Sequence, residues 1–172
     1  LRLLKEDFMK ETYKLKYHLE PASGWMNDPN GLVEKDGTYH IYYQYAYEAE
    51  GGLKYWKQFT TKDFLHYKDE GIALSPGHPH DKSGVYSGCC FNDHGLLRYF
   101  YTGNVKLPGD YDYINAGREH NVMMVESQDG FVLDHKEVLL YNKDYPSNMS
   151  CHVRDPYVYE NDGMYYMVLG AR

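Results

Sequence analysis

The sequence predicts an all-β chain built from repeated antiparallel hairpins, on three observations. Aromatic and β-branched runs of strand length recur from Gly31 onward, as in GTYHIYYQYAY, LLRYFYTG and MYYMVLGA. After the first twenty or so residues no stretch keeps a helical period of apolar side chains, and helix never alternates with strand, which argues against a parallel α/β fold. Finally, VEKDGTYHIYYQY, FNDHGLLRYFYTG and YENDGMYYMVLGA share one plan: a strand, an Asp-Gly or His-Gly turn, and a second aromatic-rich strand. Their turn glycines, Gly37, Gly95 and Gly163, are 58 and 68 residues apart. Such spacing suits four-stranded propeller blades with loops better than a solenoid.

Taken in order, residues 1–24 form a lead-in with a weak helical signal. Residues 25–80 make a first blade, 81–145 a second, and 150–172 the start of a third. The composition agrees: 42% apolar residues suffice for a core, and 20 Tyr suit half-buried strands and also sugar-lined clefts. The formal charge of −7 comes from interspersed acids and bases, which excludes the clustered Lys and Arg of a nucleic-acid surface. Three cysteines, Cys89, Cys90 and Cys151, make no disulfide framework and point to a reducing compartment. Nothing approaches a membrane-spanning run, and LRLLKEDFMKETYKLKYHLE is too charged for a signal peptide. A leader removed ahead of Leu1 stays open.

The chemistry is expected upstream of the hairpin turns. Asp28 stands nine residues before Gly37, Ser87 eight before Gly95, and Asp155 eight before Gly163. NDPN, YSGC and RDPY therefore occupy matched places. In a propeller the first strand of each blade lines the central channel, so these residues would converge there. Alone, DPNG is a turn tetrapeptide and RDP is weaker still; their matched placement raises both. Two carboxylates around a small funnel suit glycoside hydrolysis, at about 5–5.5 Å apart for retaining enzymes and about 6.5–9.5 Å for inverting ones. A nucleophilic Asp28 must stay ionised, which Asn27, turn N–H groups and a nearby cation could ensure. Arg154 adjoins Asp155, yet neighbours on a regular strand point to opposite faces. Pro156 marks a strand edge or a bulge that could re-aim a side chain.

WMNDPNG, YSG, YTGN and HVRDP, in this order, resemble the invertase and β-fructofuranosidase family, glycoside hydrolase family 32, and within it the bacterial sucrose-6-phosphate hydrolase type. The resemblance runs from about Tyr17 to Arg172. It implies a five-bladed β-propeller, usually followed by a β-sandwich, of which this chain holds two blades and the start of a third. It implies Asp28 as nucleophile and Asp155 as transition-state stabiliser, with Asn27, Gln44, Trp56, Tyr86, Ser87 and Arg154 around the sugar. The family's acid/base is a Glu in a Glu-Cys pair, which does not occur in these 172 residues. The expected acid/base therefore lies beyond Arg172, and the chain alone is expected to be inactive. Lys57 and Gln58 replace the family's usual Gly and His after Trp56, and Tyr67 replaces a Trp, so that loop's contacts should differ.

The implied reaction is retaining hydrolysis of a terminal β-D-fructofuranosyl bond in sucrose 6-phosphate or sucrose, in the bacterial cytoplasm. No cofactor and no metal are implied. The partners are a small sugar and the rest of the propeller, with no nucleic acid or membrane. Lys54, Lys57, His78, His80 and Arg118 are available for a substrate phosphate. The alternatives are a non-catalytic sugar-binding propeller, a fructan hydrolase or fructosyltransferase of the same fold, and a scaffold propeller. A metal site from His78, His80, Cys89 and Cys90 violates zinc-ligand spacing, and a buried Cys pair acting as small hydrophobes explains those cysteines better.

Overall fold

The computed structural model describes residues 15, 17–48, 50 and 52–172. The weak helical signal of the first twenty residues falls almost wholly outside them. Ten strands follow in chain order: β1 (Trp25–Lys35), β2 (Thr38–Ala46), β3 (Tyr55–Thr61), β4 (Tyr67–Leu74), β5 (Val85–Asp93), β6 (Leu96–Lys106), β7 (Arg118–Ser127), β8 (Asp134–Leu140), β9 (Val153–Asn161) and β10 (Met164–Ala171). They form two four-stranded sheets, β1-β2-β3-β4 and β5-β6-β7-β8, and a two-stranded hairpin, β9-β10. Every pairing is antiparallel between consecutive strands, so the chain is all-β. Among the described residues the helical exception is a 3-10 turn at Asn142–Asp144. No helix there is long and apolar enough to cross a membrane.

The three expected hairpin turns are present. Both central residues take positive φ: Asp36 and Gly37 (50° and 77°), His94 and Gly95 (51° and 100°), Asp162 and Gly163 (52° and 75°). This is the twist that two-residue hairpins need, and Asp, His and above all Gly tolerate it. Side chains lock two of the turns, the Gly37 N–H donating to Glu34 Oε1 at 2.6 Å and the Gly95 N–H to Asn92 Oδ1 at 2.8 Å.

Strand periodicity decides the core. Tyr42 on β2 and Trp56 on β3 face the second sheet and join Leu97, Tyr99, Tyr101, Met123 and Val125 in one buried cluster. Tyr43, Tyr45 and Phe59 gather on the opposite face of the first sheet. The cluster between the sheets is aromatic and edge-on: Tyr42 and Tyr99 have centroids 5.1 Å apart at 71°, and Trp56 and Tyr101 6.2 Å apart at 68°. Cys89, Phe100 and Val158 seat the third hairpin on the second sheet. The three cysteines are free, and burial pushes the Cys90 thiol up to about 12, so it packs as a small apolar group.

A polar interlock runs beside the aromatic cluster. The Tyr42 hydroxyl and the Gln58 amide, at 2.9 Å, both donate to the carbonyl of Gly130 in the β7–β8 loop. The same amide nitrogen lies 2.7 Å from His40 Nδ1. Gln58 is 2% exposed and joins the two sheets. Lys57 points the other way and pairs with Asp69 at 2.6 Å.

Candidate active site

Three β-bulges build the site, one at the matched position of the first strand of each sheet or hairpin. On β1, Met26 pairs with Tyr45 and Pro29 with Tyr43, so Asn27 and Asp28 together oppose Gln44. On β5, Tyr86 pairs with Thr102 and Gly88 with Tyr101, which leaves Ser87 without a cross-strand partner. On β9, Arg154 pairs with Gly170 and Tyr157 with Val168, so Asp155 and Pro156 together oppose Leu169. An inserted residue bends the strand and re-aims its side chain. A second bulge on β1, Gly31 and Leu32 opposite Ile41, accounts for the nine-residue spacing of Asp28 where the other units have eight. Because β1 lies against β5 and β5 against β9, the three bulges are neighbours.

Asp28 is held at several points. The Ser87 hydroxyl donates to its Oδ2 at 2.9 Å. The Trp25 indole N–H donates to Asn27 Oδ1 at 2.9 Å, which fixes the Asn27 side chain that also bonds Asp28. The Asn30 side-chain N–H closes the turn on the Asp28 carbonyl at 3.1 Å. Burial is the largest influence on the Asp28 carboxyl and pushes its pKa up. The hydrogen bonds from Ser87, Asn27 and its own backbone, with the nearby Arg154 charge, together outweigh burial and hold it below the usual range. Asp28 is therefore ionised at neutral pH.

Asp155 sits in the left-handed region at φ 59°. Its N–H donates to Thr102 Oγ1 at 2.9 Å, and its Oδ2 lies 3.7 Å from Arg154 Nε. The bulge brings Arg154 within reach of its neighbour, which a regular strand would not. Burial pushes the Asp155 carboxyl up, Arg154 pulls it down, and the negative Asp28 adds to the rise, leaving it above the usual range. Two carboxylates are thus driven in opposite directions, the pattern of a site that divides roles between two acids.

Gln44 and Trp56, expected beside the sugar, are 3% and 0% exposed. The Gln44 amide donates to the Val85 carbonyl at 2.6 Å and the Trp56 indole N–H to the Tyr86 carbonyl at 3.0 Å. Both brace β5, and through it Tyr86 and Ser87. The sequence reading missed Thr102, which joins the bulges of β5 and β9, although it stands in the YTGN motif. It also missed His120 and His152. The His120 ring is fully buried, 5.6 Å from the Tyr86 ring and 5.4 Å from that of His152, and neither of its nitrogens has a hydrogen-bond partner. Burial first, then the positive charges of Arg118, His152 and Arg154, push its pKa down to about 3. At the rim, Trp25 is 46% exposed with the Lys54 ammonium 5.8 Å from its ring centroid. A separate cleft of about 520 Å³, between the second sheet and the third hairpin, is lined by Phe91, Phe100, Met124, Val158 and Met167 and includes neither carboxylate. Among the described residues no group of three His, Cys, Asp or Glu is placed to hold a metal.

Comparison with known proteins agrees on one family. The N-terminal domain of glycosyl hydrolases family 32 matches residues 18–172. The chain is 36% identical over 163 residues to a sucrose-6-phosphate hydrolase of Bacillus subtilis, covering 94% of this chain and 32% of that protein. It is 36% identical over 161 residues to a raffinose invertase of Escherichia coli, covering 91% and 32%. The structure of sucrose-6-phosphate hydrolase from Lactobacillus gasseri superposes with a TM-score of 0.82 at 31% identity, covering 99% of this chain and 34% of that one. A β-fructofuranosidase of Bombyx mori superposes at 0.76 with 27% identity, covering 99% and 36%. The chain thus spans about a third of the length of the curated relatives it matches.

Proposed function

Since this chain belongs to glycosyl hydrolases family 32, we propose that the protein carrying it cleaves a terminal β-D-fructofuranosyl bond, in sucrose 6-phosphate or sucrose, with retention. In this reading the sheets are units of a five-bladed propeller: residues 25–80 and 81–145 make two blades and 150–172 start a third. The rest of the ring and a β-sandwich come from sequence after Arg172. Asp28 attacks the anomeric carbon of the fructosyl group. A Glu in the later sequence protonates the departing oxygen, and water then releases fructose from the covalent intermediate. Asp155 and Arg154 hold fructosyl hydroxyls more tightly as the ring flattens toward an oxocarbenium ion, and only such differential contact accelerates the step. Asn27 and Ser87 orient the nucleophile. Tyr86 faces the sugar, with Gln44 and Trp56 acting on it through β5.

One observation carries the reading: an ionised Asp28, held by Ser87, on a bulge matched to that of Asp155. A phosphorylated substrate is supported by the names of the bacterial relatives and by the guanidinium groups of Arg118 and Arg154 near His120. The thiols suit the bacterial cytoplasm, where such a sugar phosphate would be met.

The test is fructose release by the full-length protein from sucrose 6-phosphate and from sucrose. Release from both is expected, with the larger kcat/KM on the phosphorylated sugar. Asp28→Asn, which keeps shape and removes the nucleophile, should lower kcat by about a thousandfold or more with little change in melting temperature. Near-normal turnover by Asp28→Asn would end the assignment, and equal kcat/KM on the two sugars would end its phosphate part.

A further inference from the structure

We propose that Thr102 is a positioning residue for this reaction: its hydroxyl fixes the bulges of β5 and β9 to each other and so sets Ser87, and with it the nucleophile, against Asp155. The inference rests on the hydrolase reading above. Thr102 lies within β6, the strand that follows β5, and is 1% exposed. Its Oγ1–H donates to the Ser87 carbonyl at 3.3 Å, and the same oxygen accepts the Asp155 N–H at 2.9 Å. The Ser87 hydroxyl in turn donates to Asp28 Oδ2 at 2.9 Å. One side chain thus stands between the two carboxylates without contacting either carboxylate group.

The need for a hydroxyl follows from the bulges. A bulge takes backbone groups out of the regular ladder, and unpaired backbone groups at a packed site cost free energy. Ser87 has no partner in the β5–β6 register, and Asp155 has none in the β9–β10 register. The first bulge offers a carbonyl and the second an N–H. A single hydroxyl can donate to one and accept from the other; no aliphatic side chain can do either. Branching at Cβ makes the Thr χ1 stiff, so the oxygen is held at a fixed point. The Asp155 backbone, in a left-handed conformation that Asp tolerates but most side chains avoid, gains a fixed anchor at its N–H.

Three variants of the full-length protein test this by fructose release. Thr102→Val keeps the shape and removes the hydroxyl, Thr102→Ser keeps the hydroxyl, and Asp28→Asn serves as reference. Thr102→Val should lower kcat about tenfold or more with KM changed less than about threefold. The acid limb of its kcat/KM profile should move to higher pH as Ser87 loosens its hold on Asp28, whose charged neighbours Arg154 and Asp155 are themselves unsubstituted in both Thr102 variants. Thr102→Ser should restore most of the kcat and return the limb. If Thr102→Val does not fold, Thr102→Ala is compared with Thr102→Ser on the same readouts. A folded Thr102→Val with a lowered melting temperature but the parent's kcat and acid limb would overturn the inference. So would a Thr102→Ser as impaired as Thr102→Val, because shape and not the hydroxyl would then matter. An inactive Asp28→Asn beside an unaffected Thr102→Val sinks this inference alone, whereas an active Asp28→Asn sinks the hydrolase reading beneath it.

Discussion

Asp28 and Asp155 carry the same functional group, and their surroundings make them different acids. Both are open to solvent, but Asp28 gathers hydrogen-bond donors, whereas Asp155 has Arg154 as its counter-charge and the negative Asp28 nearby. The two acids were legible in the sequence as members of matched positions. The contacts that set their carboxyls apart were not, because Ser87 is 59 residues from Asp28 and Thr102 is 53 from Asp155. His120 was invisible for a related reason: a histidine in a strand signals nothing until its neighbours are known. Buried beside Arg118, His152 and Arg154, it is neutral in the folded protein, with a pKa of about 3. The unfolded chain binds a proton at His120 below about pH 6.5 and the native state does not until about pH 3. Stability from this residue is therefore present above about pH 6.5 and lost as pH falls through the window, by up to about 1.4 kcal/mol per pH unit. Denaturant melts at pH 7 and pH 4.5 should show a smaller acid loss for His120→Phe than for the parent. Equal losses would mean that His120 is protonated in the native state.

At the scale of the strand, the hairpins and the bulges differ in how their sequence encodes them. Each hairpin is local: two residues that accept positive φ, flanked by aromatic strands, are sufficient, and all three were readable. A bulge is set by register, which belongs to two strands at once. Pro156 hinted at one, and the nine-residue spacing at Asp28 was the trace of another, but which residue stands unpaired required both strands. On β5 the requirement falls on Gly88, directly after Ser87. A Cβ there would lie 1.9 Å from the Phe100 carbonyl oxygen and 2.8 Å from the Tyr101 Cα, both backbone atoms of β6 that no rotamer change can move. Gly88→Ala must therefore separate β5 from β6 at the bulge. It should destabilise the protein by about 3 kcal/mol or more, read from the denaturation midpoint, and disturb Ser87 with it. A Gly88→Ala protein with the parent's midpoint would mean that this close approach is not obligatory.

Across the whole molecule, the fold class and repeat plan were legible because strand patterning and turns repeat along the chain, whereas the docking of one sheet on the next was not. Its polar partners lie far apart in sequence, 72 residues from Gln58 to Gly130 and 55 from Lys136 to Asp81. The second pair carries a definite energetic expectation. Asp81, in the connection between the sheets, is 0% exposed. It accepts the Gly77 and His78 N–H groups at 2.8 Å each, the Tyr101 hydroxyl at 2.9 Å, and the Lys136 ammonium. Lys136 comes from β8 and also donates to the Ser75 carbonyl at 2.6 Å, so one ammonium ties the last strand of the second sheet to the chain leaving the first. Removing one member of a buried ion pair leaves its partner's charge uncompensated, at a cost of about 3–5 kcal/mol, although the intact pair adds far less than its Coulomb attraction. Lys136→Met, which keeps the length of the stem, should fall in that range, reduced where water reaches the partly exposed lysine end. Asp81→Asn together with Lys136→Met should cost less than the sum of the two single changes, because the double variant leaves no bare charge behind. A Lys136→Met protein within about 0.5 kcal/mol of the parent would mean that the neutral donors alone hold the Asp81 carboxylate, and that the two sheets depend for their docking on the aromatic cluster and the Gly130 interlock.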